Sequence, residues 1–371
     1  MTSLIDTLDT LTRPAAPALV QPLEGGAVRC LACAHRCLIK PGRRGVCQVR
    51  SNHDGELSVP WGYVAAAHAD PIEKKPFNHF LPGATAFTFG MIGCDFHCGY
   101  CQNWVTSQPL RDGFDLDSYM IQRVTPEQLV QQAKRCGAQV MASSYNEPLI
   151  TSEWAVDVFT RAKREGMRCV YISNGNATPE ALRFLRPHLS AYKIDLKTMQ
   201  DKHYRQLGGV LQHVLDSIVL ARQLGLWVEV VTLVIPDFND SQQELWDTAR
   251  FITSVSADIP WHVTAFHPDY QRLDGRPTPP ETLQLAAEIG QEAGLHYVYA
   301  GNLPGRVGPL ENTYCPNCTA LLIERRGYQI RTYRVTAQGS CPKCGAAIAG
   351  IWPKDPGSVP LNFYGMPRWI H

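Results

Sequence analysis

The sequence predicts an α/β protein: a partial (β/α)6-type TIM barrel, preceded by a cysteine-rich segment and followed by a compact four-cysteine ribbon. Three observations predict it. From about residue 84, seven runs rich in Val, Ile, Tyr and Thr alternate with helical patterns, as buried parallel strands and crossover helices do. The residues best suited to chemistry fall just after these runs, where such a barrel builds its active site. Eleven of the 13 cysteines gather in three clusters, two of them outside the alternating region.

The strand candidates are 85–92, 138–145, 168–174, 190–196, 226–235, 261–266 and 296–301. Between them, Thr125-Pro126 with Gln128 forms a capping box that opens a helix, and Gly137 closes it. Ser152 to Glu165 reads as a second helix stopped by Gly166, and Ser241 with Glu244 as a second capping box. Further helices end before Gly225 and Gly294. The expected division is 1–60, a mobile Pro/Ala-rich tail plus a metal-binding segment; 61–305, the barrel; and 306–371, a zinc ribbon and tail.

Composition excludes little. Apolar content is 44%, charged content 19% and net charge +1, so no global charge pulls toward nucleic acid or membrane. The first 20 residues carry Asp6 and Asp9 without a basic n-region, and no apolar run reaches the roughly 18 to 20 residues of a membrane helix. The expected location is cytoplasmic. In a reducing compartment clustered cysteines point to metals. Cys136 and Cys169 stand alone and read as inert thiols.

Cys315, Cys318, Cys341 and Cys344 form CPNC and CPKC knuckles 22 residues apart, a closed tetrahedral set suited to structural zinc, with rubredoxin-like iron the competitor. Arg325, Arg326, Arg331 and Arg334 lie between the knuckles; they are either a nucleic-acid face or arginines on the solvent side of a hairpin. Cys30, Cys33, Cys37 and Cys47 match neither a ribbon nor ferredoxin spacing, and zinc or an auxiliary 4Fe-4S cluster stays open for them. The loop GCDFHCGYCQNW supplies three cysteines, Cys94, Cys98 and Cys101. Three thiolates on a 4Fe-4S cluster leave one iron free for a small molecule. His97 within this loop reads as a packing residue.

Cys-x3-Cys-x2-Cys with Tyr100 before the last cysteine resembles the radical S-adenosylmethionine (SAM) superfamily. The resemblance implies that the open iron chelates SAM, that reductive cleavage yields a 5′-deoxyadenosyl radical, and that Tyr100 lies near the adenine. By the same likeness, Tyr145, Asn146 and Glu147 of SYNEP are candidates for the SAM amino group, and Ser173 and Asn174 of ISNGN for its ribose or carboxylate. A turn-forming SNG needs no such role. KIDLK and FHP resemble the pyruvate formate-lyase-activating-enzyme branch, which nominates Asp195, Lys197 and His267 for the SAM and substrate cavity. A buried Asp–Lys pair that only closes the barrel is the alternative.

Over residues 28 to 352, RCLACAHRCLIKPGRRGVCQVR, DPIEKKPFNHFLPG, TLVIPDFNDS, WHVTAFHPDY, YVYAGNLPG and ENTYCPNC resemble the AmmeMemoRadiSam system radical SAM enzymes. This implies an iron–sulfur oxidoreductase that abstracts hydrogen from a protein or small-molecule substrate. It also implies a reducing electron donor and association with Memo-like and other system proteins. From the composition and the lack of a long apolar run, no membrane is expected, and nucleic acid is not the expected partner. The other readings are an RNA-modifying radical SAM enzyme anchored by the ribbon, and a non-catalytic iron–sulfur/zinc scaffold.

Overall fold

A computed structural model describes residues 3–113, 121–362 and 368–369. Seven parallel strands form its centre: β1 (Thr85–Gly90), β2 (Val140–Ser143), β3 (Arg168–Ser173), β4 (Ala191–Asp195), β5 (Trp227–Val234), β6 (Trp261–Ala265) and β7 (Val298–Gly301). Each pairs in parallel with its sequence neighbours. All seven predicted strands are present. Helices α1 (Pro126–Arg135), α2 (Ser152–Arg164), α3 (Pro179–Leu185), α4 (Leu211–Gln223), α5 (Gln242–Val255) and α6 (Pro280–Glu292) connect them, so six strand–helix units lead into a seventh strand. Strand Ala66–Pro71 adds antiparallel to β1, and Arg368–Trp369 adds to that strand in turn. Among the described residues β7 does not pair with the opposite edge, and the barrel stays open.

Period-two alternation sends the strands' side chains to two apolar faces. Phe87, Phe89, Met141, Cys169 and Tyr171 join the helices in the main core with Trp154, Val158 and Phe159 of α2. The opposite face presents Ala86, Val140, Ala142, Val170, Ala191 and Trp227. Its alanines leave room for Ile72, Phe77 and Phe80, which plug it. Glu229 of β5 holds this plug. Its buried carboxylate accepts from Asn78 N and His79 N at 2.9 Å each and from Trp227 Nε1 at 2.9 Å, and lies 2.7 Å from His262 Nε2. So many partners make a charge tolerable in a strand interior.

The helix ends follow the sequence with one correction. Thr125 and Gln128 form the reciprocal box, and Gly137 takes φ 67° just beyond it. Ser241 caps Glu244 N, but the second box is half-formed. The Glu244 carboxylate instead accepts from Thr198 Oγ1, Met199 N (2.9 Å) and Gln200 Nε2 (2.6 Å), tying the loop after β4 to α5.

The two flanking pieces are docked. The N-terminal segment, expected to begin as a mobile tail, forms helix Leu4–Asp9 and strands Thr12–Pro14 and Val20–Pro22, and buries Leu4, Leu8, Leu11 and Leu19 in the main core. The ribbon strands Thr313–Tyr314, Leu321–Arg326 and Gln329–Tyr333 pack through Leu322, Ile323 and Ile330 on Tyr297 and Tyr299 beside β7. Neither expectation for the four arginines holds at Arg325. It is buried, donates to Thr313 Oγ1 (2.8 Å) and Asn78 O (2.9 Å), and faces Glu73 at 3.9 Å. It fastens the ribbon to the plug.

Candidate active site and metal centres

A cavity of about 370 Å³ opens at the C-terminal ends of the strands. Cys98, Tyr100 and Cys101 line one wall, Tyr145 another, and Asp195 and Lys197 from the end of β4 a third. Chain connectivity explains the convergence: each residue stands at or beyond the C-terminal end of a parallel strand, and parallel strands end on one side.

The three loop cysteines fit an iron–sulfur cluster. They stand on one eight-residue stretch of the loop after β1; Cys98 is buried and its partners half-buried. Burial pushes all three thiols up, Cys98 to about 11 despite the nearby Lys197. A bound metal is what makes such thiols ligands, because it favours the thiolate over the proton. Phe96 N donates to Cys94 Sγ (3.4 Å), and Ser107 Oγ lies 3.2 Å from Cys101 Sγ, two polar contacts suited to a charged sulfur. Cys98 and Cys101 face the cavity, so a group held on this loop is open to a second ligand. Tyr100 sits edge-on to Phe238, a flat apolar wall beside that opening.

The SYNEP and ISNGN residues divide. Tyr145, in the left-handed region at φ 71°, turns its ring to the cavity. Its hydroxyl lies 3.1 Å from His68 Nδ1 and accepts from Lys75 Nζ at 3.1 Å. Asn146 points back, accepting from Met91 N (2.9 Å) and holding β1. The Glu147 carboxylate also turns away from the cavity lining. It accepts from Ser173 Oγ (2.7 Å), Asn174 N (2.8 Å) and Leu149 N (3.1 Å) and latches the loops after β2 and β3 together. Burial, then the nearby Asp95 charge, pushes Glu147 up to about 8. Ser173 and Asn174 are buried in this same latch.

At β4, Asp195 pairs with Lys193 and with Lys197 Nζ (3.4 Å). Burial opposes its ionisation, but the two ammonium groups hold its carboxyl below the usual range. Lys197 is raised: burial works against its charge, and Asp195 and the Cys98 thiol outweigh it. His267 is exposed and lines a neighbouring cavity after β6, 3.1 Å from Gln102 Nε2, which lines the main one.

Several cavity residues escaped the sequence reading. Lys74, Lys75 and Lys193 line the cavity, and Lys74 and Lys75 pair with Asp70 at 2.9 and 3.0 Å. Burial lowers Lys75 to about 8 against the pull of Asp70. The DPIEKKP run marked these lysines as a motif but not their destination. Tyr328, at the tip of the ribbon hairpin, reaches the same cavity. Asp95, directly after Cys94, is fully buried and accepts from Asn174 Nδ2 (2.7 Å) and Asn176 Nδ2 (2.9 Å). An acid inside an apolar cysteine loop was its only signal.

The ribbon thiols converge as a tetrahedral site requires. Cys315 and Cys344 sulfurs lie 3.6 Å apart and those of Cys318 and Cys341 3.7 Å, with all four within 4.8 Å of one another. Zinc–thiolate bonds of about 2.3 Å give sulfur separations of about 3.8 Å. The two knuckles repeat one design: Cys315 N donates to Ala320 O and Cys341 N to Ala346 O, 2.9 Å each. Cys30, Cys33 and Cys47 are buried and Cys37 half-buried in the N-terminal segment.

A barrel of parallel strands with a three-cysteine loop opening into its C-terminal cavity is the arrangement of a radical SAM protein. The chain belongs to the radical SAM superfamily, whose profile matches residues 90–252. It is 39% identical over 331 residues, 88% of its length, to "Uncharacterized protein MJ0808" of Methanocaldococcus jannaschii, of which it covers 97%. Over 133 residues it is 29% identical to the isethionate sulfite-lyase activating enzyme of Desulfovibrio desulfuricans, covering 35% of this chain and 42% of that protein. A solved domain of a pyruvate-formate lyase-activating enzyme from Bacteroides vulgatus aligns with 43% of this chain and 98% of its own, at 18% identity and a TM-score of 0.37. Membership implies an enzyme with a 4Fe-4S cluster and SAM. No helix among the described residues is long and apolar enough to cross a membrane.

Proposed function

We propose that this chain is a radical SAM oxidoreductase of the activating-enzyme type, in the AmmeMemoRadiSam subgroup, that removes a hydrogen atom from a protein segment or small molecule. The observation that carries it is one cavity lined at once by Cys98, Tyr100 and Cys101 and by Asp195 and Lys197. Cys94, Cys98 and Cys101 would hold the 4Fe-4S cluster. When bound and reduced, that cluster supplies the electron that cleaves SAM to a 5′-deoxyadenosyl radical.

The chain's own residues bind and orient. Tyr100 offers a flat face beside the cysteine loop, suited to an adenine ring. Lys197, held charged, and Asp195 present opposite charges to the zwitterionic amino acid part of SAM. Glu147, Ser173, Asn174 and Asn146 act one layer back: they lock the loops that carry Tyr145 and the cysteines, which keeps the site geometry fixed. His267 stands at the rim, where Gln102 connects it to the cavity. Lys74, Lys75 and Lys193 add positive charge around the opening, which favours a substrate with a carboxylate or phosphate near the reacting carbon. Tyr328 narrows the mouth and helps exclude water from it. The ribbon cysteines hold zinc and set the position of Tyr328.

The test is 5′-deoxyadenosine formation by the anaerobically reconstituted, dithionite-reduced chain with SAM, compared with Cys98→Ala. Product in the wild type alone supports the reading. No product from a wild type with its full iron–sulfide content, with or without Memo-like partner proteins, would favour a non-catalytic scaffold.

A further inference from the structure

The N-terminal cysteines are spread through residues 30–47, yet the fold brings them near one another. Cys30 N donates to Cys37 O at 3.0 Å, and Val46 N lies 3.5 Å from Cys37 Sγ. Cys33 lies within the electrostatic reach of Cys30, Cys37 and Cys47 together. The quartet is also seated on the barrel. Cys33 bridges to Ala177 after β3, and a Cβ at Gly93 would meet Cys47 O at 3.1 Å and Val49 Cγ1 at 2.9 Å. Gly93 immediately precedes Cys94. His35, between Cys33 and Cys37, reaches Asp95 O at 3.1 Å.

A second, independent feature points to an anion at this place. Arg50 is 1% exposed and pairs with Glu153 through Nη2 alone. Its Nε and Nη1 are buried with no partner, and the thiols of Cys30 and Cys47 are its neighbours. Buried guanidinium donors left unpaired are costly, unless something negative takes them up. A metal centre with four thiolates carries that negative charge.

We infer that Cys30, Cys33, Cys37 and Cys47 bind a second 4Fe-4S cluster, fully ligated by protein and set beside the first across Asp95, with Arg50 donating to its sulfurs. Spacing separates a cluster from zinc. The ribbon thiols stand at single-ion distances, all within 4.8 Å. Among the described residues, no three of the N-terminal thiols do so, and neither do the three of the Cys94 loop. Thiols bound to different irons of one cluster stand farther apart than thiols on one ion. The N-terminal quartet is thus like the Cys94 loop, and unlike the ribbon, in lying outside single-ion spacing. Unlike that loop it has a fourth cysteine, so its irons have no free position.

The test is metal content and spectroscopy of the full chain, reconstituted anaerobically with iron and sulfide. In Cys94→Ser/Cys98→Ser/Cys101→Ser, about four irons and four sulfides per chain should remain, with a 4Fe-4S signature in Mössbauer and, after reduction, electron paramagnetic resonance spectra. Adding Cys30→Ser/Cys33→Ser should remove them. Reduced wild type should show a signal broadened by spin coupling between two nearby clusters. Retention of two zincs and no iron–sulfide by the triple variant would overturn the inference, as would one zinc and nothing else. Should the variants fold poorly, wild type isolated anaerobically decides: about eight irons and one zinc per chain support it, and about four irons and two zincs refute it. These readouts do not depend on SAM cleavage, so they stand or fall separately from the proposed activity.

Discussion

Asp95 and Glu147, two buried carboxylates from loops 52 residues apart, are joined through one residue, Asn174. Asn174 donates its backbone N–H to Glu147 at 2.8 Å and its side-chain amide to Asp95 at 2.7 Å. The cysteine loop after β1 is thereby tied to the loops after β2 and β3. Asn174→Ala would leave Asp95 with Asn176 as its remaining amide donor, a loss of about 1–3 kcal/mol. The expected result is a lower Tm together with reduced iron retention at the Cys94 loop. Unchanged values for both would remove the latch from the account.

His79 predicts a particular acid limb. Burial lowers its imidazole to about 4; Nδ1 lies 2.6 Å from Ala349 O and Nε2 2.5 Å from Tyr299 OH. Its folded value is depressed, so between about pH 6.5 and 4 the unfolded chain takes up a proton that the folded chain refuses. Stability therefore falls as pH falls through that window, by an amount on the order of 3 kcal/mol. In His79→Gln this slope should be missing. Unfolding free energies of both proteins measured from pH 7 to 4 check it, and parallel curves would refute it.

Arg325 is expected to affect stability and not RNA binding. Arg325→Ala removes the donor to Asn78 O and leaves Glu73 buried without its cation. Breaking such a buried pair costs about 3–5 kcal/mol. Limited proteolysis should then cut between barrel and ribbon in the variant and not in the wild type. A variant as stable as its parent with weakened RNA binding would restore the nucleic-acid reading.

The ribbon knuckles offer a matched pair. Gly345 takes φ 75° after the second CxxC, and Thr319 takes φ 57° at the equivalent place after the first. Nothing lies within 4 Å of a Cβ built on Gly345, so a change there acts through backbone strain alone. Thr319→Gly should raise the stability of the metal-loaded chain by up to about 1 kcal/mol, and Gly345→Ala should lower it by about 1–2 kcal/mol. Thermal melts with and without a chelator measure both, and the difference should vanish in the metal-free protein.

The sequence by itself determined the seven strands, most helix ends, the three cysteine groups and the side of the barrel on which chemistry gathers. These are local properties: apolar period, capping residues and the spacing of cysteines along the chain. Only the tertiary structure decided which polar groups meet. Glu229 receives His79 N from 150 residues away, Glu244 leaves its own cap for Thr198, and Arg325 crosses 247 residues to Asn78. Tyr145 faces the cavity while Glu147, two residues on, turns into the loop latch; the left-handed backbone at Tyr145 reverses the chain between them. Lys75 and Tyr328 reach the same cavity from opposite flanks of the barrel sequence. Side chains this far apart in sequence are brought together by packing of the sheet, plug and ribbon, and no period or motif along the chain encodes that meeting.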